Sequence, residues 1–134
     1  TKGVPVVCYG SDEIPAFYSR RSGVMAELRM DSAEEIAEMI KAKDMMELPG
    51  GVLVTCPVPE EDEIPFEVMD AYIQEALADC ERDGVTGKRI TPYLLSKVKD
   101  LTEGRSLEAN IKLVLNNAAV GSEIAKGLAN DGTY

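Results

Sequence analysis

Apolar residues fall in short, dense runs separated by glycine and proline, and each run carries its own period. Val4 to Tyr9 is apolar and partly β-branched, as expected of a strand covered on both faces of a parallel sheet. Gly10 to Gly23 has no period and reads as a structured loop. Val24, Ala26, Leu28 and Met30 alternate with more polar neighbours, which predicts a half-exposed strand. Ser32 and Glu35 have the spacing of a capping box, so a helix should start at Ala33 with Ile36, Met39, Ile40 and the snorkelling Lys43 on one face. Pro49-Gly50-Gly51 stops it.

The alternation continues with Val52 to Cys56 as a second buried strand, ended by Pro57 and Pro59, which cannot donate to a sheet ladder. Pro65 can open a helix, and Phe66, Met69, Ile73, Leu77 and Cys80 mark its stripe as far as Asp83-Gly84. Thr91 is placed to cap a short helix carrying Leu94, Leu95, Val98 and Leu101, which Gly104 ends. Ser106 is then read as the cap of a long final helix, in which Leu107, Ile111, Val114, Ala118, Gly121, Ala125 and Leu128 recur every three or four residues. The sum is an α/β chain, with helices flanking a mainly parallel sheet. Two or three strands fall short of the usual four to six or so, which implies further strands from outside the chain. The entry from Thr1 directly into a strand gives the same expectation of a start within a domain.

Composition narrows the function classes. The chain has 134 residues, room for one core. Its net charge of −10 argues against a nucleic-acid surface, which gathers Lys and Arg on one face. No run approaches the roughly 20 apolar residues of a membrane-spanning helix, and no secretion signal opens the sequence, so a soluble, cytoplasmic protein is expected. The absence of histidine removes Ser-His and Cys-His nucleophile pairs and histidine-based zinc sites from this chain. Cys8, Cys56 and Cys80 lack CxxC spacing and read as reduced, buried thiols.

Among candidate functional residues, the asparagines of the final helix come first. A step of about 100° per residue puts Asn110 and Asn117 within about 20° of each other at the rim of the apolar stripe, with Asn116 pointing the other way. Their amides either tie down loop carbonyls or, being both donor and acceptor, meet the edge of a pyrimidine base. Arg20 and Arg21 either contact an anion such as phosphate or make structural ion pairs. Glu60-Glu61-Asp62-Glu63 reads as a solvated loop. Lys88, Lys97, Lys99, Lys112 and Lys126 fall on polar faces or loops, where an exposed ammonium is no nucleophile.

Several segments together resemble the C-terminal half of the pseudouridine-5′-phosphate glycosidases, also called indigoidine synthase A-like proteins. They are Gly3 to Val6, Asp12 to Gly23, Gly50 to Val54, Pro57 to Glu61, Gly87 to Leu95, Ser106 to Ile111 and Asn116-Asn117-Ala118, in family order and spacing. Cys8, Cys56 and Val120-Gly121 depart mildly from the family pattern. The resemblance implies that residues 1–134 form the C-terminal half of a single α/β glycosidase domain. It implies reversible cleavage of pseudouridine 5′-phosphate to uracil and ribose 5-phosphate through a lysine imine, assisted by Mn²⁺. It also places the lysine, the proton-donating acid, the metal-linked Asp and the main phosphate-binding residues upstream of this chain. Asn110 is then the first candidate for the uracil edge and Asn117 the second, with Arg20 and Arg21 as further substrate contacts. The protein is expected to be a homotrimer. The alternative is a non-catalytic partner or structural module of a split enzyme.

Overall fold

A computed structural model of the chain describes residues 3–129; Thr1 lies outside the described residues. Three strands, β1 (Val6–Tyr9), β2 (Leu28–Met30) and β3 (Leu53–Thr55), form a parallel sheet in the order β2-β1-β3. Val7 is level with Leu28 on one side and Val54 on the other. Val7 and Cys8 point to opposite faces of the central strand, yet both are fully buried, as its unbroken apolar run requires. The alternation from Val24 to Met30 yields a strand only at Leu28–Met30. Upstream, Glu13 and Met25 make a single antiparallel bridge, because the incoming chain pairs with the loop after β1 instead of with β1 itself.

α1 (Ala33–Met45) starts where the capping box puts it: Ser32 Oγ accepts from the Glu35 N–H at 3.2 Å, and the Glu35 carboxylate takes the Ser32 N–H. Its end is closed by Lys43, whose ammonium donates to the Leu48 carbonyl at 2.7 Å, with Glu47 turned to a φ of 55°. α2 (Phe66–Arg82) follows Pro65. α3 (Ile90–Leu101) grows out of a 3₁₀ turn at Gly87–Arg89, so Thr91 lies inside the helix and does not cap it. α4 (Arg105–Ala129) likewise begins one residue before Ser106. Ser106 is therefore in the first turn, where its N–H donates to Thr102 Oγ1 at 3.1 Å.

Two apolar clusters result. One lies under α1, where Val7, Ile36, Val120 and Ile124 meet. The other joins Tyr18, Val58, Ile64, Met69, Val98 and Ala109 between α2, α3 and the first turns of α4. α4 is the beam that runs through both.

The inward face of that beam is not the stripe the sequence suggests. Most buried or half-buried positions, Ser106, Ala109, Leu113, Asn116, Val120, Ile124 and Gly127, lie on one face with half-buried Asn110 and Leu128 at its edge, whereas Leu107, Ile111 and Val114 are 43%, 50% and 58% exposed. At about 100° per residue, the buried face is turned about 140° from the bulky one. Small residues allow the close approach: a methyl group on Gly127 would meet the Ala37 Cβ at 2.9 Å. Asn116, expected to point away, is the inward asparagine, and its amide donates to the carbonyl of buried Pro57 at 3.2 Å.

Candidate site on the first turns of the last helix

The loop from Ser11 to Val24 has no helix or strand of its own, and hydrogen bonds give it its shape. Glu13 is its hub. One carboxylate oxygen accepts from the N–H groups of Gly23 and Ser22 at 2.7 and 2.9 Å, and the other faces the Arg21 guanidinium at 3.5 Å. Those bonds, led by Gly23 and Ser22, hold the Glu13 carboxyl below its ordinary pKa. Arg21 is 80% exposed, and Glu13 is its one ion-pair partner among the described residues.

The tip of the loop is stitched to the segment before α2. Ser19 Oγ donates to the Ile64 carbonyl at 2.6 Å and the Ile64 N–H returns to the Tyr18 carbonyl at 3.1 Å. The Arg20 N–H reaches the Glu63 carboxylate at 2.8 Å, and its guanidinium donates to the Val58 carbonyl at 2.8 Å. Arg20 is thus engaged with backbone, and Glu63 is a structural acceptor instead of part of a free acidic run. Neither role shows in the sequence, because each bond joins residues some 40 positions apart.

This stitching buries Tyr18 to 7% exposure, with Phe17 against it edge to face at 4.8 Å. Tyr18 separates two concavities that share its ring and Leu95. One, of about 330 Å³, is apolar and bounded by Phe17, Ile73, Leu94 and Val98. The other, of about 290 Å³, is mixed, with Leu107 beside Ser96, Lys99, Ser106 and Asn110 in its lining. Asn110 thus stands on a cavity wall with a hydroxyl and an ammonium near it. Tyr18 and Ser106 both line this cavity, and burial raises the Tyr18 pKa, so its hydroxyl stays protonated through neutral pH.

Asn117, Arg20 and Arg21 do not join Asn110 in this cavity. Asn117 lies exposed two turns further along α4. Among the other candidates, Lys97 is bound to Asp79 at 3.0 Å, which raises the lysine pKa and lowers that of the aspartate, as suits a structural pair. Cys8, Cys56 and Cys80 are free thiols; Cys56 is half-buried, and burial raises its pKa. Among the described residues no three Asp, Glu or Cys converge as metal ligands, so the residues present do not fit a Mn²⁺ site. No described helix is long and apolar enough to cross a membrane.

Sequence reasoning reached Asn110 but missed Tyr18 and Ser106. A serine two residues past a helix-breaking glycine reads as a cap, and the tyrosine sits in a stretch without a period.

The family described as indigoidine synthase A like protein matches residues 1–127. A pseudouridine-5′-phosphate glycosidase of Lysinibacillus sphaericus is 52% identical over 125 residues, and one of Clostridium botulinum is 50% identical over the same length. Each alignment covers 93% of this chain but 41% of the relative, so the chain spans about two-fifths of the relatives' length. Among solved structures, the prealnumycin C-glycosynthase AlnA in complex with ribulose 5-phosphate superposes with a TM-score of 0.83 at 34% identity, over 94% of this chain and 41% of that one. An indigoidine synthase A-like protein of Thermotoga maritima gives 0.76 at 35% identity, over 91% and 40%.

Proposed function

The chain belongs to the indigoidine synthase A-like family, and on that premise we propose that it is the C-terminal half of the single α/β domain of a pseudouridine-5′-phosphate glycosidase. The reaction is reversible cleavage of the carbon-carbon glycosidic bond to uracil and ribose 5-phosphate. The observation that carries this reading is the 52% identity, across 93% of the chain, to an enzyme of that name.

In this reading the lysine that forms the imine, the proton-donating acid and the Mn²⁺ ligands belong to residues outside the chain. The metal would supply Lewis-acid assistance when bound. The chain's own task is to build one wall of the site. Asn110 offers the uracil edge a donor and an acceptor from one carboxamide, set in a cavity partly shielded from water. Asn117 is its second contact. Arg21, exposed and paired with Glu13, is the better placed of the two arginines for a phosphate; Arg20 can offer the N–H groups not spent on Val58. Assembly as a homotrimer in the cytoplasm completes the proposal.

The test is an assay of uracil release from pseudouridine 5′-phosphate, run on the chain alone and on a full-length protein ending in it. Turnover is expected from the full-length protein only. In that protein Asn110→Ala should lower kcat/KM by about tenfold or more while moving the melting temperature little. No turnover by the full-length protein refutes the reading. A lowered melting temperature with normal turnover makes Asn110 a structural amide.

A further inference from the structure

The sheet has two outer edges, and they are built differently. Successive residues of a strand direct their N–H and C=O groups to opposite sides of it, so the bonds already made show which groups are left over. Leu53 donates to the Pro5 carbonyl at 2.9 Å, and Val54 is level with Val7. Leu53 and Thr55 thus bond toward β1, and the N–H and C=O of Val54 point away from the sheet. On the other side the Met30 carbonyl accepts from the Gly10 N–H at 2.9 Å, so Leu28 and Met30 bond toward β1 and Arg29 turns its backbone groups outward. Among the described residues neither outward pair has a strand beside it.

The β2 edge carries charges of the kind that keep strands apart. Glu27, Arg29 and Asp31 alternate along it. The Arg29 guanidinium pairs with Asp12 at 2.9 Å and with Asp31 at 2.8 Å, and a strand laid against β2 would have to desolvate or displace these exposed pairs. β3 has no such guard. From Leu48 to Pro59 no residue is charged. Leu53 is 53% exposed at the start of the strand, and Met45, Met46 and Leu48 are exposed in the turn that leads to it. An uncharged edge flanked by exposed apolar side chains is a template for another strand.

The relatives contain material to fill that place. The chain matches about two-fifths of the length of each, and 94% of it superposes on 41% of AlnA, so the same fold recurs inside a chain more than twice as long. Three strands are also fewer than the four to six or so of an ordinary sheet. We propose that β3, and not β2, is the edge at which the sheet continues, paired with an uncharged strand from the part of the full-length protein that lies outside this chain. The proposal rests on the reading of the chain as part of a single α/β domain. It puts the rest of that domain on the flank where Asn116 ties α4 to Pro57, just past β3, and α4 is the helix that carries Asn110.

Hydrogen exchange in a full-length protein ending in this chain tests the assignment, because Val54 and Arg29 report one edge each. The Val54 amide should be protected about a hundredfold or more beyond the Arg29 amide, approaching Val7 in the central strand. Equal protection at the two, high or low, or the reverse order overturns the proposal. Protection of Val54 that vanishes when the protein is diluted to monomers gives the edge to a second copy and overturns it too. Uracil release by the same sample reports on the glycosidase reading separately. Turnover with an unprotected Val54 overturns the edge assignment alone, and a protected Val54 without turnover overturns the glycosidase reading alone.

Discussion

The two faces of α4 differ in a way that inverts ordinary expectation. The inward face is built from Ser106, Ala109, Asn116, Val120, Ile124 and Gly127, while Leu107, Ile111, Val114 and Leu115 point outward with 43 to 60% of their surface exposed. A helix normally buries its largest apolar side chains. Here the small face is close-packed against α1 and α3, and the large face has no cover among the described residues. The small face therefore holds this chain together, and the large face, in a chain that spans two-fifths of its relatives, suits burial against the remaining three-fifths.

Substitutions can separate the faces. The largest effect is expected at Ile124, 9% exposed in the cluster under α1: Ile124→Ala should cost about 2–4 kcal/mol in urea titration of the chain. Gly127→Ala comes next. Its new Cβ lies 2.9 Å from the Ala37 Cβ, a side chain with no rotamer to yield, so overpacking of about 1–3 kcal/mol is expected. If Ala37→Gly in the same chain restores the melting temperature, the close helix approach is confirmed as the cause. Asn116→Ala leaves the buried Pro57 carbonyl without its amide and should cost about 1–2 kcal/mol in the same titration. Val114→Ala on the outward face should change the stability of the isolated chain by less than about 0.5 kcal/mol. The same change in a full-length protein should cost more, and equal effects in the two settings would show that the outward face stays uncovered.

The smallest expected effect is local. The folded pKa of Glu13 is depressed, so its contribution is present above the ordinary glutamate value, about 4.3, and is lost as pH falls through the lower folded value. Protection of the Ser22 and Gly23 amides, measured against their intrinsic exchange rates, should therefore fall on acidification while Val7 and Ile36 stay protected. Glu13→Gln should abolish that pH dependence.

How much of this was legible in the sequence follows the range of each signal. The capping box of α1 depends on residues three apart, and Ser32 and Glu35 show it directly. The apolar run of β1 and the prolines after β3 mark strands by composition, and the family motifs announced the relatives. The register of α4 was not legible, because a hydrophobic pattern reports where large residues lie and not which face its neighbours in this chain cover. The same limit misplaced Asn116, whose partner at Pro57 is 59 residues away. At the candidate site Asn110 could be singled out from helix geometry, but the meeting of Tyr18 and Ser106 at one cavity joins distant parts of the chain and leaves no local trace.

The stitch between residues 18–20 and 58–64 also bears on how the loop comes apart. Its four hydrogen bonds all close nearly the same loop of chain, so the entropy of bringing the ends together is lost once, with the first bond. Each later bond forms between groups already adjacent and adds its strength at little further cost in chain freedom. The clasp therefore behaves as a unit: losing any one bond leaves the ends confined and ready to re-form it, and the tip of the loop leaves the protein only when several bonds open together.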